Sequence, residues 1–140
     1  MPGFELLTRA VIIDNGRLLL CRARGKDHYY LPGGHVEFGE SAAVALDREL
    51  QEELGVTLKK ADFIGVTENI YEQGATRHHE INLVFETTVQ GPIGESLEDH
   101  ISFAWKAVNE LSETVIMPPQ LKKLVGEWLV SKQRFWGSDI

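Results

Sequence analysis

Three glutamates, Glu49, Glu52 and Glu53, fall within one short segment whose apolar residues repeat with the period of a helix. At 100° per residue they share an arc about 100° wide beside the apolar stripe. The arc contains no lysine or arginine, so each close pair of carboxylates repels by roughly 0.2–0.5 kcal/mol. Clustered carboxylates suit Mg²⁺ or Mn²⁺. The arc therefore indicates a divalent-metal site, although glutamate is also a good helix former and the helix alone favours neither explanation.

The loop before this helix, with the sequence LPGG at 31–34, favours the metal explanation. Gly33 and Gly34 allow the backbone to approach a ligand closely and to turn a carbonyl toward the glutamates. A carbonyl adds one more hard oxygen ligand. A metal ion at this point would compensate the crowded negative charge and would keep water ligands for an anionic substrate to share.

The spacing of these residues forms a longer pattern. Gly34 is followed after five residues by Glu40, and after seven more by the run RELQEELGV at 48–56. With U for an aliphatic residue, this is G-x5-E-x7-R-E-U-x-E-E-x-G-U, the signature of the Nudix hydrolases. The sequence thus resembles a small, single-domain, MutT-like member of that family, and the signature covers 23 of the 140 residues.

The resemblance implies both a fold and a reaction. The fold is α+β, an α/β/α sandwich with a mixed β-sheet, the signature as a loop-helix-loop, and a helix near the C-terminus. The reaction is hydrolysis of a diphosphate bond in a nucleoside diphosphate linked to another moiety X, by attack of water on phosphorus. The cofactor implied is Mg²⁺ or Mn²⁺, and the chemistry needs no covalent enzyme intermediate.

The resemblance also assigns roles to the residues of the signature. The metal ligands it implies are Gly34, through its carbonyl, and the carboxylates of Glu49, Glu52 and Glu53. Glu49 either binds metal or orients the attacking water. Glu40 would hydrogen-bond within the site, and Arg48 would hold one of the glutamates in place.

Some members of the family take a further carboxylate from outside the signature, often just before a tryptophan on a late strand. The corresponding tryptophan here is Trp105, and Ala104 precedes it, so this carboxylate is missing from its expected place. Glu80 and Glu98 are the replacements that the sequence offers. Glu80 is favoured because it begins a strand expected to border the site, although it is equally typical of an ordinary polar strand position.

Candidate substrate contacts are weaker in the sequence. Arg22 and Arg24 are expected on the same side of one strand, where they would bind phosphates or form part of a solvated face. His78 is a candidate for contact with phosphate or base. Because adjacent strand residues point to opposite faces, His78 and His79 do not readily bind one metal ion.

The elements that position these residues follow from the apolar patterns. Asn15-Gly16 indicates a hairpin between strands near 4–13 and 17–24. Ser41 is a good N-cap and Gly55 a good C-terminal cap for the helix of the signature, whose predicted stripe is Ala43, Leu46, Leu50 and Leu54. The remaining predicted elements are a strand pair over 56–72 and 78–89, a strand near 101–108, and a helix from Pro118 to about Lys132.

Composition restricts the partners. The 140 residues, 43% of them hydrophobic, predict one domain over 1–140. Fourteen basic and 21 acidic residues give a net charge of −7, which argues against long nucleic acid or an anionic membrane as the main partner. One cysteine, no signal peptide and no long apolar run predict a cytoplasmic protein. The tail RFWGSDI at 134–140 either packs on a second copy, giving a homodimer, or folds back.

Two other functions stay open beside a pyrophosphohydrolase of small nucleotides. One is a module that senses a nucleotide without cleaving it, although this chain keeps every carboxylate of the signature. The other is an RNA 5′-end pyrophosphohydrolase, which the acidic balance and the absence of a basic tract disfavour. The substrate itself does not follow from the fold.

Overall fold

The computed structural model describes residues 3–140 of the chain. The elements follow one another in a mixed order of strands and helices. They are β1 (Gly3–Val11), β2 (Ile13–Asp14), β3 (Arg17–Ala23), β4 (Gly33–His35), α1 (Ala42–Leu54), β5 (Thr57–Gln73), β6 (Thr76–Gln90), β7 (Ile101–Ala107), a 3₁₀ helix (Val108–Glu113), α2 (Pro119–Ser131) and β8 (Phe135–Ser138).

The strands form two sheets. The larger has the order β4-β1-β6-β5-β8, with β1 parallel to β6 and β8 parallel to β5, so it is mixed as expected. The smaller has the order β2-β3-β7 and is antiparallel. The predicted strand near 4–13 is divided, because the chain leaves the large sheet at Val11 and enters the small one at Ile13. Asn15 and Gly16, both at positive φ, make the predicted hairpin turn.

Two apolar cores lie on opposite sides of the sheets and confirm the predicted sandwich. The core on the α1 side includes Ala10, Leu19 and Leu50. The core on the α2 side includes Val11, Val84 and Trp128. Neighbouring strand residues Ala10 and Val11 thus face different helices, as the two-residue period of a strand requires.

The α1 helix has the predicted caps. The Ser41 side chain accepts a hydrogen bond from the Val44 backbone, and Gly55 at φ 68° donates its N–H to the Gln51 carbonyl. The predicted stripe is wrong at Ala43, which is exposed together with Val44 because the first turn stands clear of the core. The buried residues are Ala45, Leu46, Leu50, Glu53 and Leu54. The buried sector therefore extends into the acidic flank.

The C-terminal part of the chain forms a helix and then a short edge strand of the large sheet. Helix α2 runs close to the predicted bounds and buries Leu121, Val125 and Trp128. The chain then turns at Lys132 and folds back as β8 beside β5, so that Phe135 packs against the α2-side core. Within residues 3–140, neither 13-residue helix is long and apolar enough to cross a membrane.

Candidate active site

Arg48 connects the carboxylates of the loop and of α1. Its Nε and Nη2 donate to the two oxygens of Glu40 at 2.8 and 3.0 Å, a bidentate pair. Its Nη1 donates to Glu49 at 3.0 Å and more distantly to Glu52 at 3.5 Å. Its Nη2 also donates to the His35 carbonyl on β4 at 2.9 Å. One guanidinium therefore fixes the loop to the helix and compensates part of the negative charge.

The position of Arg48 has an electrostatic consequence for Glu40. Hydrogen bonds from the Arg48 guanidinium and from the Glu37 backbone lower the pKa of Glu40 to about 2. Glu40 is therefore ionised throughout the neutral range, and the ion pair that holds the loop persists there.

Gly34 lies directly against the Glu49 carboxyl group. A β-carbon at position 34 would overlap that carboxyl group, so any residue larger than glycine would displace the Glu49 side chain. The β1–β4 pairing sets Gly34 opposite Thr8, whose hydroxyl donates to the Gly34 carbonyl at 3.4 Å. A carbonyl oxygen has two lone pairs, so one remains for a further partner.

Glu53 is the least compensated carboxylate of the group. Its side chain is buried, and among residues 3–140 its Oε2 has no hydrogen-bond partner. Burial raises the pKa of Glu53 to about 8, with further contributions from the negative charges of Glu49 and Glu98, while Arg9 opposes the rise. A buried carboxylate oxygen without a donor is costly unless a cation or a proton neutralises it.

The donor set fits a hard divalent cation. In the part of the chain that the structure describes, no three His, Cys, Asp or Glu side chains already stand around one point as metal ligands do. The available atoms are nevertheless all oxygens: the Glu49 carboxyl beside Gly34, the unpartnered Glu53 Oε2, and the half-exposed Glu52 carboxyl. This is the chemistry that Mg²⁺ and Mn²⁺ prefer.

The carboxylates outside the signature differ in their surroundings. Glu98 raises the pKa of Glu53, and the Leu97 backbone next to it donates to the Glu53 carbonyl at 2.7 Å. Glu80 instead accepts a hydrogen bond from Asn69 Nδ2 at 3.2 Å on the large sheet. The sequence favoured Glu80, but Glu98 is the one whose charge acts on Glu53.

A chain of polar side chains crosses one face of the large sheet. Arg9 Nε donates to Asn82 Oδ1, Asn82 Nδ2 to Asn69 Oδ1, and Asn69 Nδ2 to Glu80 Oε1, each at 3.2 Å. Because arginine only donates, both amides have a fixed orientation, and Glu80 accepts at the far end. Arg9 also donates to the Leu31 carbonyl at 3.1 Å, which fastens it to the loop before β4.

A second group on the same face centres on Glu5. Its carboxylate lies 3.0 Å from His78 Nδ1 and 3.4 Å from His35 Nε2, and it accepts a hydrogen bond from the Tyr71 hydroxyl at 3.2 Å. The rings of His78 and Tyr71 stack with centroids 4.6 Å apart. The parallel register sets Glu5 beside Glu80, so the two groups join into one polar surface, the polar sheet face.

The two arginines predicted as phosphate contacts lie elsewhere. Arg22 is exposed on β3, with its guanidinium 5.3 Å from the centre of the Tyr29 ring. The prediction that both occupy one strand is wrong for Arg24, because β3 ends at Ala23. Within residues 3–140, neither arginine forms an ion pair with a carboxylate of the signature.

Sequence reasoning missed Arg9, Asn69 and Asn82. Asn82 fits the polar positions of its alternating strand, so the sequence gives no sign that the fold buries it completely. A buried amide requires partners. Those partners come from β1 and β5, and only the assembled sheet identifies them.

Comparisons with known proteins agree with this arrangement. A family model described as the NUDIX domain matches residues 6–128. The chain is 28% identical to a MutT-like protein of Streptomyces ambofaciens over 74% of this chain and 63% of that protein. It is 41% identical to an RNA pyrophosphohydrolase of Saccharophagus degradans, but over only 39% of this chain and 33% of that protein.

The fold is also that of a solved structure. A MutT protein from Bacillus halodurans superimposes with a TM-score of 0.77 at 21% identity, over 96% of this chain and 88% of that one. The identity is low, so this similarity establishes the architecture and carries no information about the substrate. The chain spans less than two thirds of the length of the Streptomyces relative, and its activity is therefore argued from its own site.

Proposed function

Because the chain belongs to the NUDIX family, we propose that it hydrolyses a diphosphate bond in a nucleoside diphosphate linked to another moiety X. The observation that carries this proposal is a pair of neighbouring carboxylates on α1. Glu49 contacts Arg48 and lies against Gly34, and the buried Glu53 Oε2 has no donor among residues 3–140. An uncompensated oxygen cluster of this kind is built for a cation.

The residues that would hold a divalent metal are Glu49, Glu52 and Glu53, with the Gly34 carbonyl as a further ligand and Glu98 as the carboxylate from outside the signature. When bound, such an ion neutralises phosphate charge and makes a coordinated water a usable nucleophile near neutral pH.

The protein groups have separate tasks in this mechanism. Arg48 fixes Glu49 through Oε1, which leaves Glu49 Oε2 free to orient the attacking water or to take its proton. Arg48 also keeps the Glu40 loop closed on α1, so the carboxylates do not drift apart. Water attacks phosphorus directly, and the phosphate that leaves needs no covalent attachment to the protein.

The polar sheet face is the proposed place for the nucleoside. Arg9 lies at the end of this face that is nearest the carboxylates. It is close enough that its positive charge lowers the pKa of Glu53. Only two of its N–H groups are used by Asn82 and Leu31, so others remain for a phosphate or a base. Glu80 and His78 stay candidate contacts on this face, and Arg9 replaces Arg22 and Arg24 as the cationic contact.

RNA with a 5′-triphosphate is the second candidate substrate, supported by the partial match to an RNA pyrophosphohydrolase. The net charge of −7 opposes a long RNA track, so we propose a small nucleotide as the main substrate. A cytoplasmic location agrees with the single buried Cys21, since a reducing compartment keeps a thiol free.

The test is product analysis with nucleoside triphosphates, oxidised nucleotides, dinucleoside polyphosphates, ADP-ribose and 5′-triphosphate RNA. Each is incubated with Mg²⁺, with Mn²⁺ or with chelator. The variant is Glu53→Gln, and the matched control is Glu127→Gln, on the exposed side of α2. We expect metal-dependent release of a nucleotide product that Glu53→Gln loses and Glu127→Gln keeps. No cleavage of any substrate, with nucleotide still bound, would favour the sensing module instead.

A further inference from the structure

The face of the large sheet that carries α1 is only partly covered by that helix. The core beneath α1 takes Ala10 and Phe85 from this face. Beyond them the same face continues through residues that no helix covers: Phe4 and Leu6 on β1, Leu83 on β6, Phe63 and Ile70 on β5, and Trp136 on β8. These six residues define the bare sheet face.

The strand register shows that the residues of the bare sheet face are contiguous. Leu83 lies between Thr8 of β1 and Val66 of β5, and Val66 in turn is opposite Trp136. Phe4 and Ile70 flank His79, two steps along the same face. Four adjacent strands therefore present one surface, in contrast to Phe38 and Val130, which are exposed elsewhere on the chain.

The apolar side chains of this surface are well exposed to solvent. Phe4 is 78% exposed, Trp136 64%, Leu6 41%, Ile70 40% and Phe63 38%. Aromatic side chains present roughly 150–250 Å² each, so together these residues leave on the order of 500 Å² of apolar surface in water. That is near the upper end of the roughly 300–600 Å² that the largest patch of a monomer shows.

We propose that this chain forms a homodimer in which the bare sheet faces of two copies pack against each other. A standard interface buries about 800 Å² on each partner, of which roughly 60% is apolar, and this agrees with the area available here. Two sheets pack face to face with their strands aligned or crossed. A two-fold axis applies the same patch twice, so a flat apolar face meets its own copy without a second surface.

Charge favours a second copy over a membrane. The ionisable residues His79 and Glu68 on this face lie 3.4 Å from each other, so each has a polar partner within the chain. At its rim the Arg134 guanidinium stands over the Phe63 ring, 5.8 Å from its centre. An anionic bilayer attracts clusters of basic residues, whereas this chain carries −7.

The experiment is sedimentation velocity of the full chain from about 1 to 100 µM, the range in which weak protein dimers dissociate. We expect the mass to rise with concentration from 15.7 kDa toward twice that value. Trp136→Ser and Phe4→Ser, on different strands, should each weaken dimerisation by at least tenfold, as removal of a central aromatic contact does. Val130→Ser, which removes an 89% exposed apolar residue on α2, is the matched control and should not.

Thermal unfolding followed by circular dichroism shows whether each variant is folded, and having two variants keeps the test decisive if one is not. A chain that sediments as a 15.7 kDa monomer at every concentration would overturn the proposal. So would equal weakening by Val130→Ser. Binding of the monomer to phosphatidylglycerol vesicles through Trp136, without dimers, would assign the face to a membrane instead. None of these outcomes depends on whether the chain hydrolyses nucleotides.

Discussion

Two regions of this molecule are rich in carboxylates, and they treat the negative charge differently. Around α1, one arginine donates to Glu40, Glu49 and Glu52, whereas the buried Glu53 Oε2 has no donor within residues 3–140. On the polar sheet face, Glu5 and Glu80 each have donors of their own from tyrosine, histidine or asparagine. Among residues 3–140, the first region therefore keeps one buried carboxylate oxygen without a donor, whereas both carboxylates of the second region have donors.

This difference suits the region around α1 to catalysis and the polar sheet face to substrate binding. An uncompensated buried carboxylate is costly in the free protein, and a cation that binds it recovers that cost. A network whose members all have partners is rigid and presents a fixed pattern of donors and acceptors. We therefore expect substitutions around α1 to change turnover, and substitutions on the polar sheet face to change substrate affinity.

The largest contrast should come from paired removal of one charge in each region. Glu52→Gln should lower kcat by roughly 10³-fold, because it removes a ligand needed for transition-state stabilisation. Glu80→Gln should change kcat by less than about threefold and act mainly on KM. Steady-state kinetics with the substrate identified by product analysis makes the comparison. Equal losses of kcat in the two variants would remove the distinction between the regions.

Arg48→Lys should have the next largest effect. Lysine keeps the charge but cannot form the bidentate pair with Glu40 while also reaching Glu49 and Glu52. We expect kcat to fall about 10–100-fold, as when a residue that orients metal ligands is removed. Arg24→Lys, at an exposed position, serves as the control and should behave as the wild type. Full activity of Arg48→Lys would mean that the hydrogen bonds of the guanidinium to these glutamates do not matter for turnover.

Arg9→Lys tests the polar sheet face itself. The variant loses the Nε donor to Asn82, so the orientation of the amide chain toward Glu80 is no longer fixed. KM should rise about tenfold, or roughly 1.4 kcal/mol, with kcat within about threefold. Arg22→Lys is the matched substitution outside this face and should leave KM unchanged. A fall in kcat at constant KM would place Arg9 with the chemistry instead.

The smallest predicted effect is on stability in metal-free buffer. The pKa of Glu53 is raised to about 8, so between about pH 4.3, the usual value, and pH 8 the folded chain binds more protons than the unfolded one. Stability should therefore fall as pH rises through this window. Glutamine does not ionise, so Glu53→Gln avoids the cost of a buried negative charge at high pH. Its melting temperature should exceed that of the wild type at pH 8 by on the order of 5 °C, and the difference should shrink toward pH 5.

Scanning calorimetry in chelator checks this prediction. Added Mg²⁺ should then stabilise the wild type more than Glu53→Gln, because only the wild type has the complete ligand set. A wild-type melting temperature that rises steadily from pH 5 to pH 8 in chelator would contradict the assignment of a raised pKa to Glu53.

Much of the architecture could be predicted from local patterns. Ser41 and Gly55 bound α1 because caps depend on residues within one turn, and Asn15-Gly16 sets the hairpin for the same reason. The exposure of Ala43 could not be predicted, because the helical period gives a direction but not where the core ends.

The candidate site also has one part that local sequence predicts and one part that depends on the assembled fold. The signature residues lie close in sequence, so their spacing alone placed them together. The polar sheet face joins residues that are far apart, with 73 positions between Arg9 and Asn82 and 66 between Glu5 and Tyr71. Their contacts depend on the register of β1, β5 and β6, which no local pattern contains. For the same reason the sequence ranked Glu80 above Glu98.

The central claim is that the carboxylates around Glu53 form a divalent-metal site, and the most direct test is Mn²⁺ binding measured by electron paramagnetic resonance. Wild type, Glu53→Gln and Glu80→Gln are titrated without nucleotide at pH 7.5, a working value near neutrality. We predict that Glu53→Gln binds Mn²⁺ at least tenfold more weakly than wild type, and that Glu80→Gln binds it equally well. Unchanged Mn²⁺ affinity in Glu53→Gln would contradict the account.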